Sequence, residues 1–133
     1  MSEEKNHILV PISPAELMDK ITILEIKAQK IIDPEKNKNV RHEWDVLQKV
    51  LDKHVRSSKK LEALARKLRT TNQRGWKIED QKRRCERNKD FGPNFLEAAR
   101  AAFKNNDERA KIWKAINLLL KSDIIQEKLY ESY

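Results

Sequence analysis

The stretch SPAELMDKITILEIKAQKII, residues 13–32, decides the fold class of this chain. Ser13 and Glu16 fit the S-x-x-E capping box and Pro14 takes the first helical position, so two signals predict a helix start. Apolar residues then recur at steps of four and three, at Leu17, Ile21, Leu24, Ala28 and Ile31. Residues 13–32 therefore predict a first amphipathic helix, which ends before the pair Asp33-Pro34, where Asp33 caps the next helix.

This helix also carries apolar residues on a second side, whereas a surface helix normally buries one stripe. Ile23 and Ile26 lie between Asp19 and Lys30 at helical spacing, an apolar pair bracketed by opposite charges. Such a strip suits the rim of an interface. We expect these four residues to contact a second copy in a homodimer; the alternative is that other helices of the same chain cover them.

Composition extends the helical prediction to the whole chain. A length of 133 residues suits one domain, and only 2 glycines and 4 prolines leave few turns for a many-stranded sheet. The segment HILVPI, residues 7–12, is rich in β-branched residues, but Pro11 cannot donate to a strand ladder. We predict a single helical domain over residues 1–133, with residues 1–12 as an extended arm.

Residues 34–90 predict a long basic helical hairpin. A heptad seam begins the segment, at Val40, Trp44, Leu47, Leu51, His54, Ser58, Leu61, Ala65 and Leu68. The polar His54 and Ser58 weaken the seam and predict a break or bend there, and the segment ending at Gly75 predicts a turn or loosened join. Residues 94–133 predict three shorter helices, with a cap for the second in NND, residues 105–107, and a cap for the last at Ser122 or Asp123. The expected fold is an all-α bundle of about five to six helices.

The formal charge of +8 is concentrated in the middle of the chain. Residues 34–90 hold 18 Lys or Arg against 9 Asp or Glu. The basic segment 59–74 could grip the phosphates of a nucleic acid. Because acids are interleaved with these bases at helical spacings, we favour an ordinary solvated surface and keep weak nucleic-acid binding as an alternative.

Several observations bear on the compartment. No apolar run approaches the length that spans a bilayer, and the N-terminal residues carry acids where a signal peptide has bases. The single cysteine, Cys85, cannot form an internal disulfide, which fits a reducing compartment. We expect a cytoplasmic protein without membrane contact.

Signatures of common catalytic sites are missing from the sequence. Two glycines could hardly build a phosphate-binding loop, and His7, His42 and His54 lack partners at metal-ligand spacing. Glu16 and Asp19 resemble half of a magnesium site, but Glu16 serves the capping box. A second acidic cluster, Glu79, Asp80, Glu86 and Asp90, surrounds Arg83, which neutralises it. We therefore predict no metal site and no cofactor.

A polar group near the C-terminus supports two interpretations. Arg109 and Asn117 fall on the inward side of their helix beside Trp113, and arginine rarely turns inward without a partner. In the structural interpretation, Arg109 pairs with Asp90, Glu79 or Glu86, and Asn117 satisfies a loop backbone. In the functional one, a cleft for a small anionic ligand is formed by Arg83, Arg100, Arg109, Asn117 and Lys128, because guanidinium groups match phosphate and carboxylate oxygens.

Three segments resemble a family of uncharacterised bacterial and phage proteins, a domain of unknown function about as long as this chain. They are ILVPISPAELMDKITILEIKAQKI, the stretch from Trp76 to Asn117, and SDIIQEKLYESY at the end. The likeness is weaker in the basic stretch between Arg56 and Arg74. Members of the family sometimes occur near surface-polysaccharide and glycosyltransferase genes. The resemblance implies a setting in envelope-polysaccharide metabolism, and it carries over no catalytic or binding residue.

Three hypotheses for the function follow. The first is a non-catalytic helical module that binds a partner protein or a small anionic ligand, and the missing catalytic signatures favour it. The second is an enzyme acting on a phosphorylated or nucleotide-sugar substrate through the arginine and acid cluster. The third is a weak nucleic-acid-binding protein that uses the basic segment.

Overall fold

The computed structural model describes residues 6–133, which contain four α-helices and no β-strand. The helices are α1 (Pro14–Lys30), α2 (Pro34–His54), α3 (Lys59–Arg87) and α4 (Pro93–Leu119). The all-α prediction is confirmed, but the predicted number of five to six helices is too high. None of the helices in this part of the chain is both long and apolar enough to cross a membrane.

Side-chain caps begin the first three helices, and the sequence predicts those at Ser13 and Asp33. The Ser13 hydroxyl accepts a hydrogen bond from the backbone N–H of Glu16 at 3.2 Å, and the Asp33 carboxylate accepts one from Lys36 at 2.9 Å. Ser58 caps α3 in the same way, through the N–H of Leu61. Each cap satisfies a backbone donor that the first helical turn leaves free.

The helices are arranged as two hairpins, α1–α2 and α3–α4, and α1 packs against the second hairpin. Within residues 6–133, α2 packs against α1 alone, and α3 packs along α4. The antiparallel register of α3 and α4 is marked by Asn105, which donates to the carbonyl of Thr71, and by Gln81, which donates to the carbonyl of Asn94. Helix α1 also contacts α3 and α4, so it is the central element of the fold.

The predicted central hairpin over residues 34–90 is therefore wrong in its pairing. The chain does break after His54, as the weak seam positions predicted. However, the helices on either side of the break do not pair with each other: α2 packs against α1, and α3 packs against α4. The heptad seam is divided between two partners. The first part of the seam, from Val40 to Leu47, packs with Leu24 and Ala28 of α1. Leu51 of α2 packs against the main core, which Leu61 and Leu68 of α3 form with Ile112 and Ile116.

Two other predicted breaks do not occur. Helix α3 continues through Gly75, and α4 runs unbroken through Asn105, where the sequence predicted a boundary between two helices. Tertiary contacts overrule the local signals, because the two positions face each other across the α3–α4 interface. A Cβ atom on Gly75 would come 3.1 Å from the Asn105 amide nitrogen, so glycine here permits close approach.

The two ends of the described chain are irregular. Residues 8–13 form an extended arm without strand pairing, and Ile8 is 88% exposed. Residues 1–5, the first part of the predicted arm, lie outside the described residues. The predicted last helix is missing: residues 124–133 run back along α4 as an irregular tail.

Candidate functional site

The inward arginine predicted from the sequence is the partly exposed half of an ion pair whose carboxylate is buried. Arg109 of α4 donates through Nε to Asp19 Oδ1 at 3.0 Å, and its Nη2 bonds the second carboxylate oxygen. The Asp19 side chain is 3% exposed and also accepts a hydrogen bond from Asn72 of α3 at 2.9 Å. The bond to Asp19 raises the pKa of the Arg109 guanidinium above its ordinary value. This pair joins α1 to α4.

Asn117 performs a second structural task at the start of α1. Its side-chain oxygen accepts the N–H of Ala15 at 3.0 Å, and its amide nitrogen donates to Gln126 of the tail at 3.0 Å. Gln126 also accepts from Ser13 and donates to Glu16. We call this region the α1–α4 junction, and its members are Ser13, Glu16, Asp19, Asn72, Arg109, Asn117 and Gln126.

Arg109 and Asn117 thus have structural partners, but these differ from the predicted ones. Arg109 pairs with Asp19 in place of Asp90, Glu79 or Glu86, and Asn117 satisfies a helix N-terminus in place of a loop. Asp19, predicted as an interface residue, is covered within the chain. Ile26 is buried as well, while Ile23 is half-buried and Lys30 is exposed. The other helices therefore cover much of the second side of α1.

The five residues of the predicted anion cleft lie in several places. Arg109 and Lys128 line a cavity of about 870 Å³ between α4 and the tail, and Lys128 pairs there with Asp107 at 2.9 Å. This bond holds the pKa of Asp107 below its ordinary value. Arg83 and Arg109 share a smaller cavity of about 360 Å³ with Glu79 and Asp80. Asn117 is buried and Arg100 is exposed outside both cavities. Ligand binding by these residues stays a prediction.

A third cavity has a different charge character. It is a groove of about 780 Å³ between α3 and α4. Its polar lining residues include Arg66, Lys67, Thr70 and Arg74 from α3, and Lys104 and Glu108 from α4. We call it the basic groove. Four cations thus face one carboxylate, in contrast to the other two cavities, where each cation has an acidic neighbour.

Most of these cations are free of internal partners. Across residues 6–133, Arg66, Lys67 and Lys104 make neither an ion pair nor a side-chain hydrogen bond, and all three are exposed. Arg74 donates to the Asn105 side-chain oxygen at 3.2 Å. Asn105 is 7% exposed and is itself held by its bond to Thr71. Arg74 is therefore oriented by a buried amide and keeps further donors for a ligand, and the other three cations are free of internal partners.

Sequence reasoning found half of the basic groove. Segment 59–74, which holds six Lys or Arg and one acid, is the sequence's candidate for phosphate binding, although the sequence favours an ordinary solvated surface there. Lys104 and Asn105 were missed, since a helix boundary was predicted beside them. Their contribution depends on the antiparallel register of α3 and α4, which places the segment 101–112 opposite 63–74. The spacing of Lys104 and Glu108 on one helix face was the available signal.

Comparison with known proteins adds a family. A model of a family of unknown function, DUF6165, matches residues 8–133. No curated protein and no solved structure matched the chain.

Proposed function

Because the chain belongs to the DUF6165 family of unknown function, which supplies no activity, we propose from the site geometry that it is a non-catalytic helical module that binds an anionic ligand in the basic groove. The observation that carries this proposal is the set of exposed cations without internal partners, Arg66, Lys67 and Lys104. Cations placed along a concave surface raise the local concentration of anions. The α1–α4 junction, by contrast, uses its charges to hold helices together.

The lining of the basic groove supports binding better than chemistry. Arg66, Lys67, Arg74 and Lys104 supply donors, and Thr70 adds a hydroxyl. Glu108 is the one carboxylate among the lining residues, so the groove lacks the paired acids that general acid and base catalysis commonly uses. A guanidinium or ammonium group binds phosphate and carboxylate oxygens through charge-assisted hydrogen bonds.

The setting of this function is also part of the proposal. The resemblance to bacterial and phage proteins supports a role in envelope-polysaccharide metabolism. A lone, buried Cys85 supports a cytoplasmic location. A homodimer remains part of the proposal, supported by Ile23 and Lys30, the two predicted interface residues that are not buried in the chain.

Thermal unfolding in pyrophosphate tests the anion-binding proposal. An anion that binds the folded state stabilises it by about 2.7 kcal/mol at a hundredfold excess over its dissociation constant. We expect this stabilisation in the wild type and its loss in the double variant Arg66→Gln, Lys67→Gln. The control is Lys38→Gln, Lys53→Gln, which removes the same charge from exposed positions on α2. Equal stabilisation of both variants, or none of the wild type, would contradict the proposal.

A further inference from the structure

The basic groove is elongated, and its cations are spread along it. Its lining runs over residues 63–74 of α3 and 101–112 of α4, which corresponds to about 16 Å at the helical rise. Arg66 and Arg74 are two four-residue steps apart, with Thr70 between them, so their Cα atoms are separated by about 12 Å along α3. The Arg74 guanidinium is also oriented by its hydrogen bond to the side-chain oxygen of Asn105. This spacing suits an extended anion better than a compact one.

Phosphates of a nucleic-acid strand repeat at a matching scale. One strand of a duplex presents a phosphate about every 3.4 Å along the duplex axis while it winds around that axis, so a groove of about 16 Å can face some of the phosphates in half a helical turn. Lys104 of α4 adds a cation on the opposite wall from Arg66 and Arg74. A polyanion lying between the two helices would therefore meet positive charge from both sides.

The apolar part of the groove argues for contact with the backbone of the nucleic acid. Its lining contains the methyl-bearing side chains of Ala63, Ala101 and Thr70. No aromatic residue lines it in the described part of the chain, whereas proteins that bind single strands commonly stack bases on aromatic side chains. A duplex, whose bases are already stacked, needs no such platform. Phosphate contacts without base contacts give binding without sequence preference.

We propose that the basic groove binds the phosphate backbone of a double-stranded nucleic acid, through Arg66, Lys67, Arg74 and Lys104. This inference rests on the proposed function, since it names the ligand class of the same groove. Arg74 is positioned by Asn105, so the groove keeps one cation preoriented while the others adjust to the strand. The affinity is expected to be electrostatic and to fall steeply with salt.

Fluorescence anisotropy with a labelled duplex of about 20 base pairs tests the ligand class at several salt concentrations. Four neutralised phosphates predict a slope of about −3.6 for the logarithm of the binding constant against the logarithm of salt. The double variant Arg66→Gln, Lys67→Gln should lower that magnitude by about 2, whereas Lys38→Gln, Lys53→Gln should leave the slope unchanged. Duplexes of different sequence should bind alike.

Three outcomes would overturn the inference. They are an absence of duplex binding at about 50 mM salt, an unchanged slope in the Arg66 and Lys67 variant, and tighter binding of polyglutamate of equal charge. The last result would assign the groove to an acidic protein. Pyrophosphate separates this inference from the proposed function. If pyrophosphate stabilises the wild type through Arg66 and Lys67 while the duplex fails to bind, the anion site stands and its assignment to nucleic acid falls.

Discussion

Helix α4 lies between two regions in which cations have different roles: structural pairing in the α1–α4 junction and exposure without an internal partner in the basic groove. Arg109 faces the α1–α4 junction and is paired with the buried Asp19, whereas its sequence neighbour Glu108 lines the basic groove among four cations. A charge removed from water needs a partner, so the junction is neutralised internally. An exposed charged side chain stays hydrated, so it needs no internal partner and is accessible to a ligand. Pairing, more than residue type, distinguishes a structural arginine from a binding one.

The largest expected effect separates the two regions directly. Arg109→Ala strands the Asp19 carboxylate, so we expect a loss of about 3 to 5 kcal/mol in the free energy of unfolding. Arg66→Ala removes an exposed cation without an internal partner and should change it by less than about 0.5 kcal/mol. Urea denaturation of both variants provides the measurement. Similar losses in the two variants would contradict the assignment of different roles.

A smaller effect is expected from the polar cap at the start of α1. Asn117→Ala leaves the buried N–H of Ala15 without its acceptor and removes a donor to Gln126, which should cost about 1 to 3 kcal/mol. Asn39→Ala, at an exposed position of α2, is the matched control and should be nearly neutral. Thermal unfolding compares the two. If Asn117→Ala were as stable as its control, the cap would contribute nothing measurable.

The smallest effect concerns the tail and depends on pH. Because Lys128 lowers the folded-state pKa of Asp107, the pair stabilises the fold above the unfolded pKa of about 3.9 and loses this contribution as pH falls through the lower folded value. NMR titration of the Asp107 carboxyl should show its pKa rise towards the ordinary value in Lys128→Gln. Lys121→Gln, an exposed control, should leave that pKa unchanged. An unaltered pKa in Lys128→Gln would argue against the bond.

Arg109, Asp19 and Gln126 show which parts of the α1–α4 junction could be predicted from the sequence. The inward position of Arg109 was visible from its helical phase beside Trp113, but its partner was sought in residues 79–90, close in sequence. Asp19 lies 90 residues away and was assigned to an interface, because its side of α1 is polar at both ends. No sequence pattern indicated the role of Gln126, because its hydrogen bond to Glu16 forms only where the irregular tail contacts the start of α1.

The amino-acid sequence by itself determined the helical class, the starts of α1 and α2, and the break near residues 54–58. These features depend on capping side chains, on the ring of proline and on apolar periodicity, which act over a few residues. Only the tertiary structure decided that α2 pairs with α1, that α3 and α4 continue through Gly75 and Asn105, and that segment 59–74 acquires Lys104 as a neighbour. Helix pairing is set by the joint burial of several apolar stripes, and no single stripe specifies which of the others will cover it.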